Sequence, residues 1–471
     1  MVTAVQRPPT RRSVASPTKR RFSKKSAARL RLVVLLSGFA IALRYNYTEL
    51  IAPNLRTYDD LEHSFGFAVL MILCGLTPLF WLESRISRPS DVVIWFLYLS
   101  VVFSGAALLP FLLEPGRAIR ILFLFVTGLF AVWLIPRARL PKMIGPSFLP
   151  NLPRHLWIAA ILGVGAAAAA ETAASFRFSF RRDIWDSIYE VREDSSAQLV
   201  ESGSALAGYA IVALTSIIIP VLAIMAIRSG RRMLGVLILS TEVVFFFATA
   251  SKSILFGSLY VLLFYALVRR RRHFGEWMVV GAIVVVLGSQ LWDSTFGGFT
   301  ATTLFPRRVF ATPVVLTAEY DTFFAENPPA LLGHSVLGQL GLVENRYEGG
   351  PASAVGVSLT GRTTTHANAN LWADGLANFG WAGVYLASIV AGGFFLIFDR
   401  RAAGKDLAVT TSALAMPAVA LSNTGVLTSL LTNGLLLALA LVATMGWASR
   451  RRAAGPTVAP AGIRALQDTR R

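Results

Sequence analysis

The feature that most constrains this chain is a series of apolar blocks, each about as long as a membrane is thick. A helix needs about 20 apolar residues to cross roughly 30 Å of hydrocarbon. Of the 471 residues 54% are hydrophobic and only 15% are charged, whereas a soluble domain carries roughly 25% charged residues. The twelve blocks cover residues 32–51, 64–82, 92–113, 118–135, 156–175, 203–227, 233–250, 254–268, 276–292, 376–398, 407–421 and 426–447.

These blocks predict an all-α polytopic membrane protein with about 12 transmembrane helices. A count of 11 is the alternative, because Arg44 interrupts the first block and only Ser251-Lys252-Ser253 separates the seventh from the eighth. That junction predicts either a broken helix or a tight hairpin. Five parts follow: a basic, disordered tail (1–31), nine helices (32–292), a large structured external loop (293–375), three helices (376–447) and a second basic tail (448–471).

The positive charge of the chain is concentrated in its tails and in alternate loops. Its net charge is +19, but no nucleic-acid-binding motif accompanies the surplus, so we exclude nucleic acid as a partner. Lys and Arg concentrate in cytoplasmic loops of membrane proteins. Taking alternate loops as cytoplasmic puts both termini in the cytoplasm of a bacterial plasma membrane, with 293–375 outside. The basic loops are 85–88, 137–142, 228–232, 269–272 and 400–405.

The sequence lacks the motifs of several common kinds of active site and metal site. The single cysteine, Cys74, rules out a disulfide within the chain and a cysteine-based metal site. No phosphate-binding loop, dinucleotide fingerprint, zinc-protease motif or nucleophile elbow is present, and we expect neither a cofactor nor a metal. In the first external loop, Asp59 and Asp60 are either a base or divalent-ion site or part of a solvated loop.

Cations on the predicted external side need an explanation other than the insertion rule. Arginine is a good bidentate ligand for phosphate, so we predict an anion-binding cluster, with salt bridges to nearby acids as the alternative for any single arginine. Lys252 either holds a phosphate beside its serine neighbours or extends to the membrane interface. The predicted phosphate-binding residues are Arg181, Arg182, Lys252, Arg307, Arg308 and Arg362.

A polar run precedes the tenth block, at the predicted outer membrane surface. His366 is the first candidate for a general base near neutral pH, and Asp374 is the second. Asn368 and Asn370 are candidates to bind sugar hydroxyls, and Trp372 to stack on a sugar face. Helix capping is the alternative for Asn368, Asn370 or Asp374.

The plan of many helices with one large external loop resembles the bacterial O-antigen polymerase family, also called oligosaccharide repeat-unit polymerases. Three segments carry the resemblance. Thr249 to Ser253 is similar to a small-residue, serine and basic motif of that family, and Asn368 to Gly383 resembles the segment where its loop re-enters the membrane. Arg307 to Phe324, which includes Tyr320, is also similar.

The resemblance implies a glycosyltransferase that polymerises repeat units linked to polyprenyl pyrophosphate. Its partners would be a lipid-linked donor, a lipid-linked acceptor, membrane lipid, a chain-length regulator and a flippase. Lys252, Arg307, Arg308 and Arg362 would contact pyrophosphate, and Tyr320 would contact substrate. The alternatives are a ligase that transfers a finished glycan, a transferase with its acid in the first external loop, and a flippase or transporter for lipid-linked sugars.

Overall fold

A computed structural model describes residues 17–55, 61, 64–139, 150–175 and 205–446, with side chains from Ser26 onward except at 205, 248, 336 and 339. These residues form helices and turns, with no β-strand among them. In chain order the helices are α1 Pro17–Asn46, α2 Phe65–Gly75, α3 Pro89–Leu112, α4 Pro115–Arg137, α5 Arg154–Ser175, α6 Leu206–Arg228, α7 Arg232–Thr249, α8 Lys252–Arg269, α9 Phe274–Phe296, α10 Thr300–Leu304, α11 Thr312–Glu326, α12 Val336–Gln339, α13 Gly350–Thr360, α14 Leu371–Ala402, α15 Leu407–Leu421, α16 Val426–Leu431 and α17 Leu435–Thr444.

The all-helical, multi-pass prediction is confirmed at this level. Within the described ranges, eight segments are long and apolar enough to cross a membrane, namely α1 with its continuation to Asn54, α3, α4, α5, α6, α8, α9 and α14. The remaining predicted blocks also fall on helices, but α2, α15, α16 and α17 are shorter. The count of twelve spans therefore stays a prediction.

Arg44, which interrupts the first apolar block, does not interrupt the helix. Its Nη1 donates a hydrogen bond of 2.8 Å to the carbonyl oxygen of Ala107, and its guanidinium lies 4.1 Å from the ring centre of Phe111. A charge inside a bundle is tolerated when it faces such partners. Arg44 thereby joins α1 to α3.

Helices α7 and α8 form a tight hairpin. Ala250 adopts the left-handed conformation at φ 48° and ends α7. The Ser258 hydroxyl of α8 donates to the Leu239 carbonyl at 3.0 Å and to Oε2 of Glu242 at 2.7 Å. Such pairing across the turn requires antiparallel helices, so the broken-helix alternative is wrong.

Part of the 293–375 segment is packed within the bundle. Along α11, Val314, Val315 and Ala318 are each at most 4% exposed. The ring of Phe310, just before α11, lies 5.0 Å from that of Phe39 in α1. Asp293 at the end of α9 accepts from the backbone nitrogens of Ala301 and Thr302. The segment is therefore ordered by burial and capping.

Helix α14 consists of two antiparallel pieces. Phe379 and Gly380 have non-helical angles, with Gly380 at φ 58°, so 371–378 folds back against the start of 381–402. A Cβ added to Gly383 would lie 1.8 Å from the Gly375 carbonyl oxygen, so the two backbones touch. The predicted boundary between loop and helix at residue 375 thus falls inside a buried helical turn. Residues 381–402 extend roughly 33 Å, enough to span the hydrocarbon.

The five basic loops meet at one end of the bundle. A cavity of about 960 Å³ is lined by residues from all five of them, including Arg88, Arg137, Arg228, Arg271 and Arg400. We name this the basic end. The turn at Phe379 and Gly380 lies at the opposite end of the 381–402 helix.

Candidate functional site at the end opposite the basic loops

Two arginines of α4 converge on one aspartate of α11. The Oδ1 and Oδ2 atoms of Asp321 each lie 2.8 Å from Nη2 of Arg120, and Oδ2 accepts from Nε of Arg117 at 2.9 Å. The Asp321 side chain is 6% exposed, whereas the two arginines are 33% and 34% exposed. One carboxylate therefore holds two guanidiniums, which leaves a surplus positive charge facing partly outward.

The arginine pair retains capacity to bind an anion. Nε of Arg120 is buried and has no hydrogen-bond partner, and its guanidinium lies 5.6 Å from the ring centre of Trp381. Buried donors are nearly always paired in native proteins. An oxyanion arriving from the exposed side would both neutralise the surplus charge and compete for these donors.

Asp374 lies in the short helical piece 371–378, next to the same α11 segment. Its charge acts on Tyr320, whose pKa is raised mainly by burial and further by Asp374. Among the described residues, no side chain or backbone group donates to the Asp374 carboxylate. A Cβ added to Gly425 would lie 2.2 Å from Oδ2 of Asp374, so the carboxylate fits against a glycine. A carboxylate that packs against a glycine and accepts no hydrogen bond is suited to accept a proton as a general base.

Arg307 is a second cation with an open donor. It begins a π-helical turn, a deviation that often occurs at functional sites. Its Nε is buried without a hydrogen-bond partner, and no acid among the described residues pairs with it. Phe305 contacts Phe256 at 5.0 Å between ring centres, so the segment just before Arg307 packs against the N-terminal half of α8, the helix that begins at Lys252.

Two predicted sugar-binding residues have structural roles instead. Asn370 is fully buried, caps the 371–378 helix by accepting from the nitrogens of Trp372 and Ala373, and donates to Thr317 at 2.7 Å. Trp372 is 1% exposed and donates to the Ser388 hydroxyl at 2.9 Å. A stacking role for Trp372 does not fit, because neither ring face is open to a sugar. For Asn370 the capping alternative is confirmed.

Tyr320 is likewise enclosed. It is 2% exposed, and its hydroxyl donates to the Ala367 carbonyl at 2.9 Å. This bond fixes the chain just before Asn370 onto α11. The predicted contact of Tyr320 with substrate is therefore replaced by a positioning role for the 363–370 segment.

The other predicted residues lie at the surface of this end. His366, Asn368, Arg308 and Arg362 have exposed side chains. No hydrogen bond orients the imidazole of His366 among the described residues. Arg181, Arg182, Asp59 and Asp60 lie outside the described residues.

Sequence inspection missed the pair of Arg117 and Arg120 as a site. The available signal was their spacing of three residues at the start of the fourth block, which puts both on one helix face. Their position on the predicted external side also lacks support from the insertion rule, the same argument that selected the loop arginines. Asp321, more than 200 positions away, gave no sign of pairing with them.

Glu242 is a separate buried acid, in the middle of α7. It is 1% exposed, and its Oε2 accepts from Ser258, whereas Oε1 has no hydrogen-bond partner. Hydrogen bonding within the bundle thus engages one of its two carboxylate oxygens.

No family model, curated protein or solved structure matches this chain.

Proposed function

We propose that this protein is a membrane glycosyltransferase that polymerises oligosaccharide repeat units carried on polyprenyl pyrophosphate, at the outer face of a bacterial plasma membrane. The observation that carries the proposal is that an unpartnered carboxylate, Asp374, lies next to the α11 segment whose Asp321 holds the surplus positive charge of Arg117 and Arg120 from α4. Positive-inside topology puts the basic end in the cytoplasm and this site outside.

The chemistry needs two kinds of group. A hydroxyl of the acceptor sugar attacks C1 of the donor sugar, and the bond between C1 and the pyrophosphate oxygen breaks. Asp374 accepts the hydroxyl proton as general base. Arg117 and Arg120 stabilise the negative charge on the departing lipid pyrophosphate. The products are an extended glycan on the acceptor lipid and a free polyprenyl pyrophosphate.

The bilayer position of the site suits lipid-borne substrates. Asn370 caps the start of the 371–378 piece, and the next helical residue but one, Trp372, bonds to Ser388. Ser388 is seven residues, roughly 10 Å, along the helix from Trp381. The start of the short piece therefore lies about 10 Å below the turn. Asp374 lies between these levels. A pyrophosphate at the membrane surface would reach this depth while its polyprenyl chain stays in the hydrocarbon.

The decisive experiment is the profile of lipid-linked glycans in cells that lack the gene. Extracted lipids, analysed by mass spectrometry, should contain accumulated single repeat units. Accumulated long chains on the lipid would instead identify a ligase. An unchanged profile would contradict both, and complementation with the intact gene serves as the control.

Glu242 favours a second candidate, a transporter or flippase for lipid-linked sugars. An acid in the middle of a membrane helix with an unpaired oxygen is typical of a proton or cation site in transport proteins. A transporter should lose transport activity in Glu242→Gln and keep it in Asp374→Asn. A polymerase should lose polymerisation in Asp374→Asn and keep it in Glu242→Gln. Purified protein that extends lipid-linked repeat units would exclude transport as the sole activity.

A further inference from the structure

The cavity at the basic end contains far more positive than negative charge. Eight basic side chains line its volume of about 960 Å³, against two carboxylates, Asp399 and Asp406. Like charges gathered around one space repel each other. The insertion rule explains why basic residues lie on this face, but it does not explain why five loops direct them around a common cavity.

The two carboxylates do not neutralise this charge. Asp406 accepts from Nε and Nη2 of Arg228, at 3.1 and 2.7 Å, and so compensates a single arginine. Asp399 accepts from the backbone nitrogen and the hydroxyl of Ser90. Arg137, also in the lining, pairs with Asp91 at 2.5 Å. The acids near the cavity are thus already engaged.

Three lining arginines remain without a partner in the described part of the chain, namely Arg139, Arg269 and Arg271. All three side chains are exposed. They come from two separate loops, after α4 and after α8. Guanidiniums presented from different directions suit an anion with several oxygens, such as a phosphate or pyrophosphate group.

A second cavity adjoins the first and has aromatic walls. Its volume is about 320 Å³, it shares Arg88 and Arg137 with the basic cavity, and Trp81, Trp95 and Trp133 line it. The rings of Trp81 and Trp133 lie 5.1 Å apart. Glu83, Arg85 and Asp91 also line this second cavity, so its walls combine indole rings with charged groups.

We propose that the basic cavity is a binding site for a multiply charged phosphate group, distinct from the site at the opposite end and independent of the function proposed for it. The group is supplied either by the head of an anionic phospholipid or by a soluble phosphate compound. Both sources share the same recognition by arginines.

The test compares two triple variants of the full chain with equal charge change. The cavity variant is Arg139→Gln, Arg269→Gln and Arg271→Gln. The control variant is Arg231→Gln, Arg232→Gln and Arg272→Gln, which removes three exposed arginines from the same face but outside the lining. Size-exclusion profiles and helical circular dichroism in detergent establish that both variants are folded.

Binding of inorganic pyrophosphate is measured by calorimetry on the detergent-solubilised protein. We expect saturable binding to the wild type, an affinity loss of roughly tenfold or more in the cavity variant, and little change in the control, since each charge-assisted bond contributes strongly. Equal losses in both variants would show a general effect of surface charge and overturn the proposal. So would an absence of saturable binding to the wild type.

The source of the phosphate is tested in nanodiscs. Protein in phosphatidylcholine discs should bind pyrophosphate as in detergent. If a lipid head is the natural occupant, discs that also contain phosphatidic acid should abolish pyrophosphate binding to the wild type. If the occupant is soluble, phosphatidic acid should leave it unchanged. In either case, the proposal requires that the cavity variant bind pyrophosphate more weakly than the control variant.

Discussion

Gly375 and Gly383 lie back to back, with so little space that a Cβ added at Gly375 would lie 2.4 Å from the carbonyl oxygen of Gly383. This contact closes the hairpin of 371–378 against 381–402. It also sets the depth at which Asp374 lies, since Asp374 directly precedes the first of the two glycines. The hairpin and the candidate base are therefore one structural unit.

We expect Gly383→Ala to open this hairpin. The added methyl group meets a backbone carbonyl that cannot move aside, so the cost should be about 3 kcal/mol. The melting temperature in detergent should fall by roughly 3 °C. Gly393→Ala is the matched control on the same helix, because its Cβ meets nothing within 4 Å. An equal drop in both variants would contradict the close packing.

Asp374→Asn should abolish long glycans while the protein still accumulates. Removing a general base costs roughly 10²- to 10⁴-fold in rate, and the amide has nearly the shape of the carboxylate. Gly425→Ala should give a similar but weaker loss, because its methyl group displaces Oδ2 of Asp374. Glu326→Gln, an exposed acid at the end of α11, is the control. Gel analysis of the polysaccharide measures chain length.

His366→Ala distinguishes the two candidate bases. The imidazole is exposed and no hydrogen bond within the described ranges orients it, so we expect chain length to remain near the wild-type value. Loss of long chains in His366→Ala, combined with normal chains in Asp374→Asn, would assign the base to His366. The same gel compares both variants at matched protein levels.

Anion binding at the basic end should weaken as the pH rises from 7 to 9. Burial, together with the charge of Arg401, lowers the pKa of Lys405 to about 8, so its ammonium is charged below this value and neutral above it. Arg400 and Asp406 also face this region, and no histidine or cysteine lines the cavity among the described residues. A neutral Lys405 contributes no attraction to an anion.

Sulfate is the appropriate probe, since its charge stays constant over this interval. The wild-type affinity should fall by roughly threefold to tenfold. Lys405→Arg keeps its charge and should show a smaller change. A pH-independent affinity in the wild type, or an identical decline in Lys405→Arg, would exclude Lys405 as the titrating group.

The helices could be predicted from the sequence because burial in lipid demands long apolar stretches, and these leave a direct mark on composition. The α7 and α8 junction was ambiguous, since Ser251 to Ser253 fits either a break or a turn. The hydrogen bonds from Ser258 to Leu239 and Glu242 decide between them.

The candidate site was only partly predictable. Asp374 was predicted as the second candidate base, after His366, because it belongs to the polar run that precedes the tenth apolar block. The burial of Trp372 and the pairing of Arg117 and Arg120 with Asp321 depend on contacts between distant segments, and such contacts leave no periodic pattern. Polar residues in a loop look alike whether they face water or cap a buried helix, which is why Asn370 was assigned to a ligand.

The two-piece helix α14 also determines the order in which the chain can assemble. Residues 371–378 are too short and too polar to enter a bilayer alone, because Asp374 and Asn378 would lose their hydration without compensation. This piece can pack only when 381–402 is in place and its other neighbours are present. Those neighbours are Gly128 and Phe125 of α4 and Thr317 of α11. We therefore expect membrane insertion of 381–402 to come first, and the candidate site to be completed afterwards, when 371–378 docks.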